Sequence, residues 1–330
     1  MQIFYSKNGR INMMKRALKL TILLIIFSIL ITKPIRAEEN RVGVHILDVN
    51  ELPKAAELVN NQNRQWGFVT IPIQKYDRNL EKWQAFMNQA KKLQVQPILR
   101  LATYPLGENW TKPDIFDPLD WANFLASLDW PTANKYIIVY NEVNDPHEWG
   151  GLVNPEEYTN QFLWTREALK NYGNDFIVMN AGLNPTAPQN GGYWDEYVFL
   201  NNMEKTKPGI LDKFDVFASH SYPADYTGSP QMAGRNSIRN FETELTFLQN
   251  YYGLYGKKVM VTETGWKTGR LSNEKVANYY KDAFQNVWNK DYMIAITPFL
   301  LNAGAGDFMA FSLTDKDFKP LPSFLSIQAL

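Results

Sequence analysis

Short apolar runs alternate with amphipathic segments along most of the chain. Eight of these runs are rich in β-branched and aromatic residues and nearly continuous in apolar side chains, which is typical of strands buried on both faces. The predicted strands lie at 42–47, 67–73, 97–102, 136–140, 176–180, 214–220, 258–263 and 295–301. The pattern therefore predicts a sheet of parallel strands.

Helical patterns fill the gaps between the predicted strands. In the segment 80–93, large apolar side chains recur near helical spacing, and Asn79 is placed to cap the first turn. Further helices are predicted to open at Asp117-Pro118 and Asn154-Pro155 and to run over 237–252 and 272–288. Eight strands with helices between them predict an α/β fold of the (β/α)8 TIM-barrel type. A doubly wound open sheet is the rival, but no Gly-x-Gly-x-x-Gly turn follows the first strand.

The amino-terminal part of the chain has the pattern of a targeting segment. A basic leader precedes an uncharged apolar run at 20–31, which is shorter than a typical membrane span, and Ala37 offers a small residue for cleavage. We expect a signal peptide at 1–37, a single catalytic domain at 38–330 and a secreted or extracytoplasmic protein. A retained membrane anchor through 20–31 is the alternative.

Composition narrows the class of function. Lys+Arg 34 balance Asp+Glu 34, so charge makes no case for nucleic acid or an anionic membrane surface. The absence of cysteine excludes disulfides and thiolate chemistry. No His-Glu-x-x-His motif or dense carboxylate loop is found, so we expect neither a metal nor a cofactor. A serine hydrolase is a poor fit, because no Gly-x-Ser-x-Gly motif is found.

Candidate chemistry lies where the predicted strands end, since the active sites of such barrels lie at the carboxyl ends of the strands. Polar residues at or near these ends are His45, Arg100, Asn141, Glu142, His147, His220, Tyr222 and Glu263. A carboxylate beside a buried strand is costly unless it is exposed, paired or functional. Either glutamate alone fits a solvated loop residue or a salt-bridge partner. Together, on the fourth and seventh strands, Glu142 and Glu263 favour a catalytic pair.

This arrangement resembles clan A of the glycoside hydrolases, the barrels with glutamates on strands four and seven, and families 5 and 39 within it. The resemblance covers 41–330 in strand order. Asn141-Glu142 is similar to the clan's Asn-Glu pair, which implies that Glu142 is the acid/base and that Asn141 contacts the sugar 2-hydroxyl. Glu263 corresponds to the nucleophile. His220-Ser221-Tyr222 is similar to the His-x-Tyr of family 5, in which the tyrosine lies near the nucleophile.

The resemblance also extends to supporting residues, with one departure. Arg100 matches the strand-three arginine of family 5, which supports the nucleophile electrostatically, and His45 is expected to contact sugar. Many clan members end strand eight in a tryptophan beneath the reactive sugar, whereas this sequence has none there. Asn302 and Asp307, which follow strand eight, are candidates to fill that role.

Tryptophans in the loops after the predicted strands are candidates for stacking on sugar rings. They are Trp110, Trp149, Trp194 and Trp266. Each fits a sugar platform or the packing of its loop, and Trp266 is the best candidate because it lies three residues past Glu263. Asp145, His147 and Glu148 follow the acid/base and fit either sugar binding or a solvated loop.

The function that combines these features is a retaining β-glycosidase. Its expected substrate is an oligo- or polysaccharide such as a β-glucan, mannan or xylan, and we expect a monomer with no membrane contact after signal cleavage. A carbohydrate-binding pseudoenzyme on the same barrel is the alternative. A third possibility, an unrelated barrel enzyme such as an aldolase, lacks a clear phosphate-binding loop in this sequence.

Overall fold

The computed structural model describes residues 40–61 and 64–330. The predicted signal peptide at 1–37 and its apolar run at 20–31 lie outside these residues. Within the described ranges, no helix is both long and apolar enough to cross a bilayer.

Eight parallel strands alternate with eight α-helices in the described part of the chain. The strands are β1 Gly43–His45, β2 Gly67–Gln74, β3 Val95–Ala102, β4 Lys135–Ile138, β5 Phe176–Met179, β6 Phe217–His220, β7 Val259–Glu263 and β8 Met293–Ile296. The helices are α1 Leu52–Val59, α2 Leu80–Leu93, α3 Asp117–Ala126, α4 Pro155–Tyr172, α5 Glu196–Thr206, α6 Asn240–Tyr252, α7 Asn273–Asp282 and α8 Pro322–Gln328. This order confirms the predicted alternation of strand and helix.

The strands pair as two parallel sheets. Five strands follow the order β1-β2-β3-β4-β5, and three follow the order β8-β7-β6. Isolated parallel bridges link the sheets, from Val42 to Ile296 at one edge and from Met179 to Val216 at the other. The fold is therefore a mixed α/β fold with parallel sheets. The hydrogen-bonded pairing of its strands is interrupted where the two sheets meet.

A small apolar cluster lies among the strands. Its buried members come from strands of both sheets or from the residue before β6: Phe68, Ile98, Tyr136, Ile138, Met179, Val216, Ala218, Met260 and Ala295. The larger core cluster includes side chains of both strands and helices, such as Val69 and Trp83. Burial on both faces explains why the strand sequences are almost continuously apolar.

The helix starts follow the capping chemistry of the sequence, with one correction. The Asn79 side chain accepts a hydrogen bond from the backbone N–H of Lys82, and α2 matches the predicted range of 80–93. The Asn154 side chain caps α4 in the same way. Asp117, which is predicted with Pro118 to open its helix, is the first residue of α3 and not a capping residue before it. Its buried carboxylate instead accepts from Lys75 Nζ at 3.0 Å.

The last predicted strand and the last long predicted helix are shorter in the structure. The strand predicted at 295–301 ends at Ile296, because the following residues turn towards β1, where Leu301 N donates to His45 O at 2.9 Å. The helix predicted over 272–288 consists of α7 followed by a π-helical turn at Ala283–Val287.

Candidate active site

The two glutamates meet at the carboxyl ends of the strands. Glu263 is the last residue of β7, and Glu142 lies four residues beyond the end of β4. One carboxylate oxygen of each glutamate and one ring nitrogen of His220 all lie within 4.8 Å of one another. Both glutamates line a cavity of about 430 Å³. The predicted pair therefore shares one site, although its two members belong to different sheets.

Glu263 is a buried carboxylate with strong donors. Arg100 Nη1 donates to its Oε1 at 2.6 Å, and the Tyr222 hydroxyl donates to its Oε2 at 3.1 Å. Burial alone would raise the pKa of Glu263, but the positive charges of His220 and Arg100 outweigh it and hold that pKa below its ordinary value. Glu263 is thus kept ionised, which is the form required of a nucleophile.

His45 lies against Glu263 without forming an ion pair. Its Nδ1 is 3.5 Å from Glu263 Oε1, and its ring is fully buried. Burial and the charge of Arg100 lower the pKa of His45 to about 3, so the imidazole is neutral near pH 7. The ring packs edge-on against Phe299, with centroids 5.2 Å apart. His45 thus packs against Glu263 as a neutral ring, and it is not among the residues that line the cavity.

Glu142 is oriented by its backbone and by His220. Its φ of +34° is unusual for a residue with a side chain, and its N–H donates to Gly182 O at 3.0 Å. His220 Nδ1 lies 3.0 Å from Glu142 Oε1. A Cβ at Gly182 would lie 2.1 Å from His220 Cδ2, so only glycine leaves room for this ring beside Glu142.

Arg100 and His220 each contact the glutamate of the other sheet. Arg100, on β3, reaches Glu263 on β7, and it also donates to Asn141 Oδ1 at 2.5 Å. His220, on β6, reaches Glu142 beyond β4. The negative charge of Glu142 and Glu263 helps to raise the pKa of His220 above its ordinary value, although burial opposes this.

Glu148 adds a third carboxyl group to the cavity wall. It ends the short 3-10 helix Pro146–Glu148, and its side chain hydrogen-bonds with Asn141. Burial, together with the nearby charge of Glu142, raises the pKa of Glu148 to about 7. Of the three polar residues predicted after Glu142, Glu148 is the one that lines the cavity. His147 is exposed, and the Asp145 side chain caps the 3-10 helix.

The side chains around the two glutamates include groups that could bind a metal ion. Glu142, His220 and Glu263 are groups that ligate metal ions, and their donor atoms are close enough to share one. Arg100 Nη1, however, lies 2.6 Å from Glu263 Oε1, so a positive charge already neutralises this carboxylate. The arrangement suits an anionic nucleophile paired with a guanidinium better than a cation site.

Aromatic rings form much of the remaining cavity wall. They are Trp110, Tyr140, Tyr222, Tyr226, Phe299, Phe308 and Phe311. Phe299 lies three residues beyond β8 and packs against Phe308 and Phe311, with ring centroids 5.3 and 5.9 Å apart. These phenylalanines were not predicted from the sequence, because the resemblance implied a tryptophan after strand eight. An aromatic residue of any kind at that place would have been the useful signal.

Several predicted sugar contacts lie away from the cavity. Trp149 and Trp266 are each 1% exposed, and Trp266 Nε1 donates to Gly228 O at 2.7 Å. We therefore reassign both rings to packing, which leaves Trp110 as the proposed tryptophan contact. Trp194 packs against the core cluster. Asn302, proposed to replace the missing tryptophan, instead uses its amide to bind Thr314 and Asp315 in its own loop.

Comparison with known proteins places this site in context. A family model described as Glycosyl hydrolase catalytic core matches residues 110–319, more than half of the chain. None of the curated proteins compared with the chain matches it.

Several solved structures share the fold at low sequence identity. A family 39 glycoside hydrolase from the gut symbiont Bacteroides cellulosilyticus WH2 is 14% identical, with a TM-score of 0.58 over 89% of this chain and 63% of that one. This chain thus spans less than two thirds of that protein. A GH5_18 protein from Streptomyces cattleya in complex with Manβ1-4GlcNAc is 13% identical, with a TM-score of 0.62 over 88% and 79%. A GH128 (subgroup II) endo-β-1,3-glucanase from Sorangium cellulosum is 14% identical, with a TM-score of 0.59 over 88% and 98%. The expected resemblance to families 5 and 39 is confirmed at the level of the fold.

Proposed function

Because the chain belongs to the glycosyl hydrolase catalytic core family, we propose that it is a retaining glycoside hydrolase that cleaves β-glycosidic bonds by double displacement. Glu263 is the nucleophile and Glu142 is the acid/base. We further propose that the eight strands act as one (β/α)8 barrel with the catalytic pair at its carboxyl-terminal end, and the isolated bridges between the two sheets support this.

The observation that carries this proposal is the short separation of the two carboxylates. Oxygens of Glu142 and Glu263 lie within 4.8 Å of each other. Retaining enzymes hold their carboxyl groups about 5–5.5 Å apart, whereas inverting enzymes need about 6.5–9.5 Å to admit a water molecule between carboxylate and sugar. This spacing favours direct attack on the sugar over activation of a water molecule.

In the first step, Glu263 attacks the anomeric carbon as the bond to the leaving oxygen breaks. Glu142 transfers its proton to that oxygen, so the departing sugar leaves as an alcohol. Arg100 and Tyr222 hold the Glu263 carboxylate through hydrogen bonds of 2.6 and 3.1 Å, which fix its orientation for attack. The product of this step is a glycosyl ester of Glu263.

In the second step, water replaces Glu263 at the anomeric carbon. Glu142, now ionised, accepts a proton from the water as its oxygen bonds to the sugar, and the ester bond returns its electron pair to Glu263. Both glutamates are restored, and the configuration at the anomeric carbon is the same as in the substrate. His220, 3.0 Å from Glu142, keeps the acid/base in place during both proton transfers.

The proposed substrate is a β-linked polysaccharide such as a β-glucan, mannan or xylan. The aromatic rings around the cavity support this, since apolar sugar faces pack well against them. Asn141 is placed to contact a sugar hydroxyl beside the acid/base, and Trp110 to stack on a sugar ring. We further propose that the protein is a secreted monomer, exported through the leader at 1–37.

The test uses two variants on an activated aryl β-glycoside. Glu263→Gln should abolish turnover, because an amide cannot form the ester. Glu142→Ala should retain much of the first step, because a good leaving group needs no proton, and added azide should rescue the second step as a glycosyl azide of retained configuration. Near wild-type turnover by Glu263→Gln, or a first product of inverted configuration, would refute the assignment. A wild-type protein that binds polysaccharide without hydrolysing any glycoside would instead be the pseudoenzyme.

A further inference from the structure

An exposed pair of tyrosines follows β2 and β3. Tyr76, two residues after β2, is 73% exposed, and Tyr104, two residues after β3, is half-buried. Their ring centroids are 4.9 Å apart with the planes inclined at 41°. The two rings thus present a preformed aromatic surface, which we call the Tyr76–Tyr104 ledge.

The ledge is joined to the wall of the catalytic cavity. Thr103 and Trp110 line the cavity, and Trp110 pairs with Pro105 in a two-stranded hairpin that starts directly after Tyr104. Thr103 Oγ1 donates to Thr111 O at 2.6 Å, and Thr111 N donates to Tyr104 O at 3.0 Å. These hydrogen bonds fix the base of the hairpin. The ledge is therefore joined to the cavity wall by a backbone segment that is held in place.

The lysine beside the ledge is already paired with two carboxylates. Lys75 Nζ lies 6.0 Å from the Tyr76 ring, but it is paired with Asp114 at 2.6 Å and with Asp117 at 2.9 Å. A lysine with two carboxylate partners attracts no further anion. The ledge therefore suits a neutral ligand with an apolar face and polar edges.

We propose that the Tyr76–Tyr104 ledge is a sugar-binding subsite that stacks against one pyranosyl unit of a neutral polysaccharide whose cleaved bond lies at Glu142 and Glu263. This inference rests on the proposed function and deepens it, since it makes a chain of sugars, and not a single glycoside, the preferred substrate. Tyrosine is suited to this role because its ring gives a large contact area with only two side-chain torsions to fix.

The first test compares kcat/KM on a soluble polysaccharide with kcat/KM on an aryl β-glycoside, which has a single sugar unit. Tyr76→Ala should lower the ratio of kcat/KM on the polysaccharide to kcat/KM on the aryl glycoside about tenfold. This is the effect expected from the loss of one contact of about 1.4 kcal/mol. Tyr76→Phe, which keeps the ring, should restore most of it. Tyr255→Ala is the matched control, because Tyr255 is 71% exposed and lies before β7, at the opposite end of the sheet. An unchanged ratio in Tyr76→Ala would overturn the proposal.

A binding experiment separates this proposal from the proposed function. The Glu263→Gln variant, which cannot turn over, is run in native gels containing laminarin, glucomannan or xylan. At least one polysaccharide should retard it, and adding Tyr76→Ala should remove most of the retardation while Tyr255→Ala does not. Retardation that depends on Tyr76 upholds the ledge even if the wild-type protein hydrolyses nothing. Migration unaffected by all three polysaccharides refutes the ledge even if aryl glycosides are cleaved.

Discussion

Replacing Arg100 with methionine tests how Glu263, the proposed nucleophile, is kept ionised. Methionine has a comparable apolar length and no charge, so the change removes the 2.6 Å contact to Glu263 Oε1. A hydrogen bond to a charged group contributes about 1.5–3 kcal/mol, and the two side chains are only 14% and 10% exposed, so solvent screens them little. The loss of this contact should raise the pKa of Glu263, because its ionised form loses its closest positive charge. His220 and Tyr222 still favour the ionised form and limit the rise.

The assay is the pH dependence of kcat/KM on an activated aryl β-glycoside. The ionised Glu263 is the reactive form, so activity falls as pH drops through its pKa. A raised pKa therefore moves the acidic limb to higher pH in Arg100→Met, and the loss of activity is greatest at low pH. Arg78→Met, which removes a 3.5 Å surface pair with Asp120, is the control and should leave the limb in place. An unmoved acidic limb in Arg100→Met would show that Arg100 does not control this ionisation.

Three further predictions concern the residues around the pair. The pKa of Glu148 is raised from 4.5 to about 7, so its ionisation destabilises the fold as pH rises through that range. Glu148→Gln should therefore be more stable than the wild-type protein by up to about 3 kcal/mol at about pH 8, but not at about pH 4. Urea denaturation at both pH values measures the difference. Gly182→Ala should lower kcat/KM about 100-fold, because its methyl displaces His220; wild-type kinetics would contradict the close contact. Trp266→Ala should lower the free energy of unfolding by about 3–5 kcal/mol, whereas Trp110→Ala should chiefly raise KM. Denaturation and kinetics measure the two effects. A raised KM in Trp266→Ala with unchanged stability would instead make Trp266 a sugar contact.

The sequence was most informative where local chemistry and periodicity act together. Helix α2 begins and ends at the predicted residues because Asn79 caps it and its apolar face is regular. Glu142 and Glu263 could be paired in advance because parallel strands bring their carboxyl ends to one edge.

The loops were harder to predict, because the direction of a loop side chain depends on distant contacts. Trp266 follows Glu263 closely in sequence, yet it turns inward to Gly228 and packs on Tyr280, with ring centroids 5.0 Å apart. Phe308 lies far beyond the last strand and still reaches the cavity, since the segment after β8 folds back. Tyr76 carried no recognisable pattern of its own.

Arg100 and His220 each contact the glutamate of the other sheet, so assembly of the site depends on both sheets. Each sheet supplies one glutamate, but the closest charged side chain to that glutamate comes from the other sheet. A folding intermediate with only one sheet formed would hold an acid without its imidazole, or a carboxylate without its guanidinium. A fragment that carries only one sheet therefore lacks part of the site, and we expect activity only after both sheets have formed.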